Sequence, residues 1–486
     1  MAHILVIGGG LAGSATALFC ARRGHRVTVL EGGDPPPAGA AADDDWHDWE
    51  RREVPHARQG HAFLGLSTRV LREELPELPA ALAARGARVT PLEPGSEDAT
   101  VLSRRLVYEG VIRRAAAAEP GITLVTGARV TALLTGAEDA GITRVTGVRT
   151  QDGTEHTGDL VVDASGRRTP LARWLAEAGL GTPRETAQPC GFFYLTRHYR
   201  LRPGHAFPST TVPIVTELDY ATTLVFPGDN GTFQLSTTVA VDDPHKHRLR
   251  EPEVFTRFLQ AVPSTARWCE RGVPLDEPAP MGRLENRRRT LLGADGTPVA
   301  AGLVMVGDAA LQTNPTFGRG VSLAFAHARR LAQTAEQAAA GPAAYTERFE
   351  RWTDDTLGVW FEIQRATDQA RLAQLRAGLR GEHAPPPDDL PNRFVRAMAV
   401  LRDDDEHIRS ASLRMYHMLM TPQDLMGDRA GSRRILAFLR EHPLPETPAE
   451  GPDRAAFEAL VTGAATPSVL PCAGTPADGP GHRART

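Results

Sequence analysis

The stretch His3-Ile-Leu-Val-Ile7, continued by Gly8-Gly-Gly-Leu-Ala-Gly13, decides how the first part of this chain folds. An apolar run of strand length leads into a glycine-rich turn, and a helical run to Arg23 follows. The next run, Arg26-Val-Thr-Val-Leu30, is typical of a second parallel strand and ends at Glu31. This order of strand, turn, helix and strand predicts a Rossmann-like unit that binds a dinucleotide.

Each part of the unit has a physical role at a pyrophosphate. Gly8 permits the tight turn, Gly10 lets the backbone approach the phosphates, and Gly13 lets helix and strand pack closely. The helix N-terminus presents free N–H groups and a partial positive charge to the phosphates. Glu31 is placed to accept hydrogen bonds from ribose hydroxyls, and it would repel a 2′-phosphate.

Composition bounds the class of protein. A chain of 486 residues is longer than one core usually serves, so two or three structural units are expected. The net charge of −4 gives no electrostatic reason to expect nucleic acid or an anionic membrane. The four cysteines lie far apart without a C-x-x-C pair, which favours free thiols in a reducing compartment, and no metal is expected.

The first strand begins at residue 3, which leaves no room for a signal peptide, and no apolar run has membrane-spanning length. We therefore expect a soluble cytoplasmic protein.

A basic segment follows the first unit. Residues 32–45 have the composition of a loop. Arg58 and His61 then precede a helix predicted from Leu66 to Leu75, and they could contact a flavin or its phosphates; the alternative is a solvated basic turn. A further helix, from about Val101 to Ala118, carries Arg104 near its start.

From about Cys190 the chain becomes rich in β-type residues joined by Gly, Pro and Asp turns. We predict an antiparallel sheet whose face could form one wall of a substrate pocket. Tyr194, Arg197 and His198 are polar members of its first strand, and outward-facing positions are an equal alternative. The predicted strands are Gly191–Arg200, Ser209–Val215, Ala221–Phe226 and Thr232–Val239.

A second glycine turn repeats the logic of the first. The strand Gly302–Val306 leads to Gly307-Asp308, and Asn314-Pro315-x-x-Gly318-x-Gly320 opens a long helix. Asp308 is placed to bind a sugar-alcohol hydroxyl, while free N–H groups near Gly320 and Val321 can face an electron-rich ring edge. A simple helix cap at Asp308 would not explain the turn glycines and the proline.

The predicted fold is α/β, with a Rossmann-like dinucleotide-binding domain, an inserted antiparallel β-sheet substrate domain and a C-terminal helical region. The predicted boundaries are 1–170 and 286–340 for the two parts of the dinucleotide-binding domain, which the resemblance given next makes an FAD-binding domain, 171–285 for the substrate domain, 341–465 for the helical region and 466–486 for a disordered tail.

Three separated motifs carry a resemblance to a known family: the opening turn with Glu31, Asp163-Ala-Ser-Gly-Arg, and the second glycine turn. Over residues 3–335 the chain resembles the FAD-dependent monooxygenase superfamily, which also contains tryptophan halogenases and geranylgeranyl reductases. Two stretches look most like bacterial natural-product oxygenases, including polyene epoxidases: Val54-Pro55-x-Ala-Arg58-x-x-His61 and Asp163-Ala-Ser-Gly-Arg-x-Thr-Pro170.

The resemblance implies FAD as the cofactor. It places Arg104 near the pyrophosphate, Val130 near the adenine, and Pro315 against the isoalloxazine. Arg58, His61 and Pro315 are the candidate catalytic residues. The residues expected to bind FAD are Gly8, Gly10, Leu11, Ala12, Gly13, Glu31, Arg58, Arg104, Val130, Gly307, Asp308, Pro315, Gly318, Gly320 and Val321.

Departures from the family narrow the activity. The segment Thr222–Pro227 lacks both aromatic residues of the corresponding halogenase and reductase motifs, and Lys246 is the only lysine, which disfavours a halogenase-type lysine. Asp163-Ala164 stands where many hydroxylases carry an Asp-Gly motif that engages NADPH. The electron source is therefore open, either NAD(P)H directly or a partner flavin reductase.

The resemblance implies a monooxygenase that uses O₂ and a flavin C4a-hydroperoxide to hydroxylate or epoxidise a small organic substrate of the secondary-metabolite type. A reductase or dehydrogenase of the geranylgeranyl reductase type, a halogenase and a silent flavin-binding scaffold remain alternatives.

Overall fold

The computed structural model describes residues 1–39, 41–209, 214–444 and 450–463. The strands found there are β1 (His3–Ile7), β2 (Arg26–Glu31), β3 (Arg88–Pro91), β4 (Ala99–Leu102), β5 (Ile122–Thr126), β6 (Val130–Asp139), β7 (Ile142–Thr150), β8 (Glu155–Thr157), β9 (Leu160–Asp163), β10 (Arg184–Pro189), β11 (Phe192–Leu201), β12 (Val215–Glu217), β13 (Ala221–Pro227), β14 (Thr232–Ala240), β15 (Gly272–Pro274), β16 (Ala279–Met281), β17 (Glu285–Thr290), β18 (Leu303–Met305) and β19 (Leu311–Gln312).

The helices of the same residues are α1 (Leu11–Ala21), α2 (Ala42–His47), α3 (Gly65–Glu74), α4 (Leu78–Ala84), α5 (Arg105–Ala118), α6 (Leu171–Glu177), α7 (Pro252–Ala261), α8 (Pro263–Cys269), α9 (Gly320–Thr334), α10 (Pro342–Trp352), α11 (Gly358–Leu379), α12 (Leu390–Leu401), α13 (Glu406–Tyr416), α14 (Pro422–Gly427), α15 (Arg429–Glu441) and α16 (Arg454–Thr462).

A parallel sheet with the order β18-β9-β1-β2-β5 forms the centre of the first layer. The strands β18, β9 and β1 are apolar and almost wholly buried, as parallel strands covered by helices must be, whereas the edge strand β5 is partly exposed. Ile7 pairs with Asp163 on one side and Leu30 on the other, so the carboxyl ends of β1, β2 and β9 meet at one edge of the sheet. Ligands of such sheets bind beyond this edge.

Helices α1 and α9 cover one face of the parallel sheet. Their buried aromatic residues Phe19 and Phe325 meet edge to face, with ring centroids 6.2 Å apart. Because each helix begins directly after a glycine turn at the carboxyl edge, this packing brings the two predicted turns close together.

The antiparallel layer has the order β12-β13-β14-β11-β15, and β16 also pairs with β11. Its apolar face, with Leu195 and Phe233, packs on α7 and α8 through Phe255, Phe258 and Trp268. The predicted antiparallel sheet is thus confirmed. Of the predicted strand Ser209–Val215, residues 210–213 lie outside the described part, and β12 begins at Val215.

The C-terminal helices divide into two groups. Helix α11 packs on the parallel-sheet layer through Trp360 and Phe361, and on the antiparallel layer through Leu375. Helices α12 to α15 enclose a small apolar core of their own, with members Phe394, Met398, Ile408 and Ile435. The predicted C-terminal helical region is confirmed, whereas the predicted tail 466–486 lies outside the described residues.

Two local predictions were wrong. The helix predicted from Val101 begins only at Arg105, because Val101 and Leu102 are extended and pair with β3. Arg104 has an extended backbone at the N-cap position of α5. Residues 32–45, predicted as a loop, include the first part of α2, where buried Trp46 anchors the chain.

Candidate functional site

A cavity of about 570 Å³ runs along the carboxyl edge of the parallel sheet and reaches the antiparallel layer at Met281. It brings together most of the residues predicted from the sequence. Those that line it are Gly8, Gly10, Leu11, Ala12, Glu31, His61, Val130, Asp308, Pro315, Gly318, Gly320 and Val321.

The first turn requires its glycines for steric reasons. Gly8 has φ +98°, and a Cβ there would lie 2.7 Å from the Ala164 carbonyl oxygen. A Cβ on Gly13 would lie only 1.8 Å from the Gly8 carbonyl oxygen, so this glycine lies behind the turn and allows α1 to approach β1. A Cβ on Gly10 would approach Arg51 Nη2 at 4.0 Å, so this position faces open space in the cavity.

The second turn packs directly against the first. Gly307 has φ +61°, and a Cβ there would come within 2.8 Å of the Ala12 Cβ. Gly318 has φ +66°, and a Cβ there would lie 2.6 Å from the Ala62 Cβ. Side chains at these positions would therefore separate the turns and close the cavity.

Glu31 is engaged on both carboxylate oxygens. Oε2 accepts a hydrogen bond from Gly9 N, and Oε1 accepts from Gly33 N at 2.9 Å and from Arg51 Nη1 at 3.0 Å. Arg51 also lies 3.0 Å from buried Glu109, and its guanidinium lies over the Trp49 ring. The side chain predicted to meet a ribose is thus held rigidly at the end of β2.

Arg104 and Arg105 differ from the prediction in position. Arg104 lies outside the cavity, where Asp229 accepts from its backbone N at 2.7 Å and from its Nη2 at 2.6 Å, and Asp43 also accepts from Nη2. The neighbouring Arg105 lines the cavity instead. Arg104, which is predicted near the pyrophosphate, thus does not line the cavity and Arg105 does, because α5 begins at residue 105 and directs these two side chains apart.

Arg105 supplies free donors to the cavity. Its Nη2 pairs with Glu109 Oε2 at 2.8 Å. Among the residues that the structure describes, no group accepts a hydrogen bond from its buried Nε and Nη1 atoms. A buried guanidinium with unused donors beside a helix N-terminus fits a phosphate group.

Asp308 lies in the cavity at the end of the strand β18. Burial raises the pKa of its carboxyl, while the nearby positive charges of Arg105, Arg167 and Arg289 act in the opposite direction. A carboxyl group in these surroundings suits a hydrogen bond with a neutral hydroxyl group. A sugar-alcohol hydroxyl is the partner that the sequence predicts for Asp308.

His61 lines the cavity, and Arg58 does not. The His61 Nδ1 lies 2.9 Å from the Gln59 carbonyl, so Nδ1 donates and Nε2 is left as an acceptor. Burial lowers the pKa of His61 to about 3, and Arg105 adds to the effect. Arg58 is exposed over the Trp46 ring, so its predicted place at the flavin is corrected.

Asp163 closes the turn of the second family motif. Its Oδ1 accepts hydrogen bonds from Ser165 N at 2.9 Å and Ser165 Oγ at 2.6 Å, and its Oδ2 accepts from Thr169 Oγ1 at 2.5 Å. These bonds turn the chain so that Arg167 and Arg168 line the cavity.

The polar residues of β11 are buried, which excludes the alternative of outward-facing positions. Tyr194 Oη contacts the second turn, as described below. His198 Nδ1 lies 2.6 Å from Asp276 Oδ2, and its ring lies 4.3 Å from that of Trp46. Arg197 Nε donates to the Asp276 carbonyl on the other face.

Several residues of the site were missed at the sequence level. Arg51, Arg105 and Glu109 form the charged cluster behind Glu31, and Gln59 and Met281 line the cavity. Arg51 and Arg105 could not be singled out among the many arginines of the chain, because neither belongs to a motif with a recognisable spacing. Only the three-dimensional structure distinguishes them.

The cavity fits FAD by shape and chemistry. Open space lies over Gly10, and Arg105 has unused donors. Glu31 at the end of β2 and Asp308 after β18 supply carboxyl groups, and the N-termini of α1 and α9 meet at the same edge of the sheet. Each is a feature of dinucleotide sites.

Comparisons with known proteins agree with this geometry. A family model described as FAD dependent oxidoreductase matches residues 3–44. The kynurenine 3-monooxygenase of Salinispora tropica is 24% identical over 340 residues, which cover 66% of this chain and 70% of that protein. Protein Rv3254 of Mycobacterium tuberculosis is 28% identical over 186 residues, and the chain spans only 39% of its length. That match covers 38% of this chain.

A solved structure shares the fold over nearly the whole chain. The flavin-dependent brominase Bmp2 superposes with a TM-score of 0.59 at 18% identity, covering 90% of this chain and 100% of that chain. The chain therefore shares its fold with a flavin-dependent enzyme, and its opening unit matches the class of FAD dependent oxidoreductases. The resemblance to the FAD-dependent monooxygenase superfamily is confirmed, and FAD is the cofactor of this class.

Within the described residues, no helix combines the length and apolar character needed to cross a membrane.

Proposed function

We propose that the chain is a monooxygenase that transfers one oxygen atom from O₂ to a small organic substrate, by hydroxylation or epoxidation. The observation that supports this most is the continuity of the cavity. It extends from the glycine turn at Gly8 past Asp308 and Pro315 to Met281 and Leu284 at the antiparallel layer. A substrate there would lie beside the ring end of the cofactor site.

FAD, when bound and reduced, supplies the activation of O₂. The first glycine turn and Arg105 would hold the pyrophosphate, Glu31 the adenosine ribose, and Val130 the adenine. Asp308 would accept a hydrogen bond from the ribityl region. Residues Pro315, Gly318, Gly320 and Val321 would line the ring, where the free N–H groups of α9 stabilise negative charge.

Two contacts hold the segment Gln59–Gly60, which lines the cavity, against the antiparallel layer. The Gly60 backbone packs on Phe226, since a Cβ there would meet that ring at 2.5 Å. Gln59 Nε2 donates to the Ala279 carbonyl at 3.3 Å. Such contacts would help a bound cofactor and substrate to displace water from the ring end, which limits the loss of reactive oxygen to solvent.

His61 is the proposed hydrogen-bond acceptor of the site. Because its Nδ1 donates to Gln59, Nε2 has a free lone pair, and because its pKa is about 3 the ring is neutral at physiological pH. It can therefore accept a hydrogen bond from a substrate hydroxyl and orient it, but so low a pKa makes the ring a weak base that does not hold a proton.

The test uses the purified protein with FAD, NADPH and ¹⁸O₂, in the presence and absence of a flavin reductase. Substrates are hydroxylated aromatic and polyene compounds, with kynurenine included because a relative bears that name. We expect a product that gains one ¹⁸O atom, and the two electron sources are separated by whether the reductase is required. Turnover that proceeds equally without O₂ would refute oxygen transfer and favour the hydride-transfer alternative.

Bromide and chloride are added in a parallel reaction to test halogenation. Lys246, the only lysine, lies outside the cavity and donates to the Val241 carbonyl, so it cannot serve as a lysine of the halogenase type. We expect no halogenated product.

A further inference from the structure

A buried polar network lies beneath the second glycine turn, and its centre is Asp368 of α11. Asn314, the first residue of the turn, donates from Nδ2 to Asp368 Oδ1 at 2.9 Å. Asn286 of β17 accepts from Asn314 N at 2.7 Å and donates from Nδ2 to Asp368 Oδ2 at 2.6 Å. The backbone and the side chain of Asn314 are thus both fixed.

The same helix also holds the far end of the turn. Gln364 donates from Nε2 to Asp368 Oδ1 at 2.8 Å and accepts from Arg319 Nη1 at 2.8 Å. The Arg319 guanidinium lies over the rings of Phe317 and Trp360. One face of α11 therefore grips both Asn314 and Arg319, the residues that flank Pro315 and Gly318.

A third bond joins the turn to the antiparallel layer. Tyr194 Oη of β11 donates to Asn314 Oδ1 at 2.7 Å and lies 2.6 Å from Thr316 Oγ1. The register pairs Tyr194 with Met281, the residue of that layer that lines the cavity. The ring end of the site and the sheet beside it are thus connected through Asn314.

The network has the character of a positioning device. Asp368 is only 2% exposed and accepts from three amide groups, which suits an ionised carboxylate. Burial raises the pKa of this carboxyl, and the three amides oppose the shift. An apolar cluster would stabilise the fold as well as a buried charge does, whereas directed bonds specify one geometry.

We infer that Asp368 is a positioning residue: from the C-terminal helical region it fixes the turn Asn314–Arg319 against the isoalloxazine of FAD. This inference deepens the proposed function and rests on FAD in the cavity, but not on the fate of the substrate. It assigns a role in the site to a residue more than forty positions beyond the second glycine turn.

The test compares two variants of the holoprotein with the wild type. Asp368→Asn keeps the shape of the side chain and removes its charge. It also places an N–H₂ group where a carboxylate oxygen accepted hydrogen bonds from neighbouring amide N–H₂ groups. Gln364→Met keeps the charge and removes the link between Asp368 and Arg319. The measurements are the FAD dissociation constant from reconstitution of apoprotein, the visible flavin spectrum, the midpoint potential, and the unfolding temperature of the apoprotein.

We expect both variants to bind FAD about tenfold more weakly and to shift the flavin bands, because the turn no longer meets the ring in one geometry. Asp368→Asn should also raise the midpoint potential, since loss of a buried negative charge favours the anionic reduced ring. Gln364→Met should change the potential less. It also gives the answer if Asp368→Asn does not fold.

Glu350→Gln is the matched control. Glu350 is an equally buried carboxylate of α10 that accepts from Leu291 N and lies outside the cavity. Its change can lower the unfolding temperature but should leave the FAD readouts within twofold of wild type.

Three results would overturn the inference. The first is a lower unfolding temperature with unchanged FAD affinity and spectrum, which is a purely structural role. The second is a raised potential alone, which is an effect of charge without positioning. The third is an equal effect in Glu350→Gln. Failure of the wild-type protein to bind FAD would instead refute the proposed function, so the two failures are distinguishable.

Discussion

At the scale of single residues, Arg104 and Arg105 show how strongly one step along the chain changes a role. Arg104 is wholly buried against Asp229, while Arg105 presents unused donors to the cavity. The resemblance named the arginine that lies outside the cavity, one position before the arginine that lines it. The extended backbone at Arg104 and the helical backbone from Arg105 onward direct their side chains to different places.

The two arginines can be separated by substitution. Arg105→Met should weaken FAD binding about 10- to 100-fold, since a charge-assisted hydrogen bond contributes about 1.5–3 kcal/mol. Arg104→Met should instead lower the free energy of unfolding by about 3–5 kcal/mol, because it removes the cation that pairs with the buried Asp229 carboxylate. FAD titration of the folded fraction and urea unfolding check the two effects. If Arg104→Met instead weakened FAD binding and Arg105→Met only lowered stability, Arg104 would be the arginine that binds the phosphates.

At the scale of elements, the glycine turns decide whether a strand and a helix can meet at all. Gly13 lies in α1 and not in the cavity, yet it has the least room of the three predicted glycines. Gly24, which follows the same helix, has a positive φ of +83°, but no heavy atom of the described residues lies within 4 Å of a Cβ built there. Gly13 is therefore required by close packing, and Gly24 by its backbone conformation.

We predict that Gly13→Ala abolishes FAD binding and destabilises the protein by about 3 kcal/mol or more, since the clash is with backbone. Gly24→Ala, the control, should lower stability by only about 1–2 kcal/mol through left-handed strain and leave FAD affinity unchanged. Unfolding in urea and the absorbance of bound flavin give both values. Normal flavin content in Gly13→Ala would contradict the close packing of α1 and β1.

The sequence predicted correctly those elements whose local residue pattern favours the same structure as their tertiary packing. The opening βαβ unit, the second glycine turn and the antiparallel sheet follow from apolar periodicity and glycine spacing. The start of α5 and the helix at Trp46 did not, because both depend on partners distant in sequence, β3 for Val101 and His198 for Trp46. Asp368 had no signal in the sequence, since two of its three partners, Asn286 and Asn314, come from segments more than fifty residues away.

At the scale of the whole molecule, buried neutral histidines link stability to pH. His327 of α9 accepts from Gly307 N through Nδ1 and lies 3.3 Å from Thr353 Oγ1 through Nε2. Burial lowers the pKa of His327 to about 3. An unfolded histidine has a pKa of about 6.5, so below that pH the unfolded chain binds a proton that the folded protein does not. The stabilising contribution is complete above pH 6.5 and is lost as the pH falls toward 3.

We therefore predict that the stability difference between wild type and His327→Gln changes with pH. Between about pH 5.5 and pH 4, the wild type should lose about 1.4 kcal/mol per pH unit relative to the variant, the value for one proton. Urea unfolding across this range measures the slope. The exposed His205, changed to Gln, should give no such slope. A parallel pH dependence of wild type and His327→Gln would show that His327 is protonated in the folded state.

The grip of α11 on the second turn also has a consequence for biosynthesis. The opening strand and both glycine turns are synthesised before Gln364 and Asp368, so the turn Asn314–Arg319 has no partner on α11 until the later segment is made. We therefore expect firm binding of the flavin only after the segment through Leu379 has emerged from the ribosome and docked.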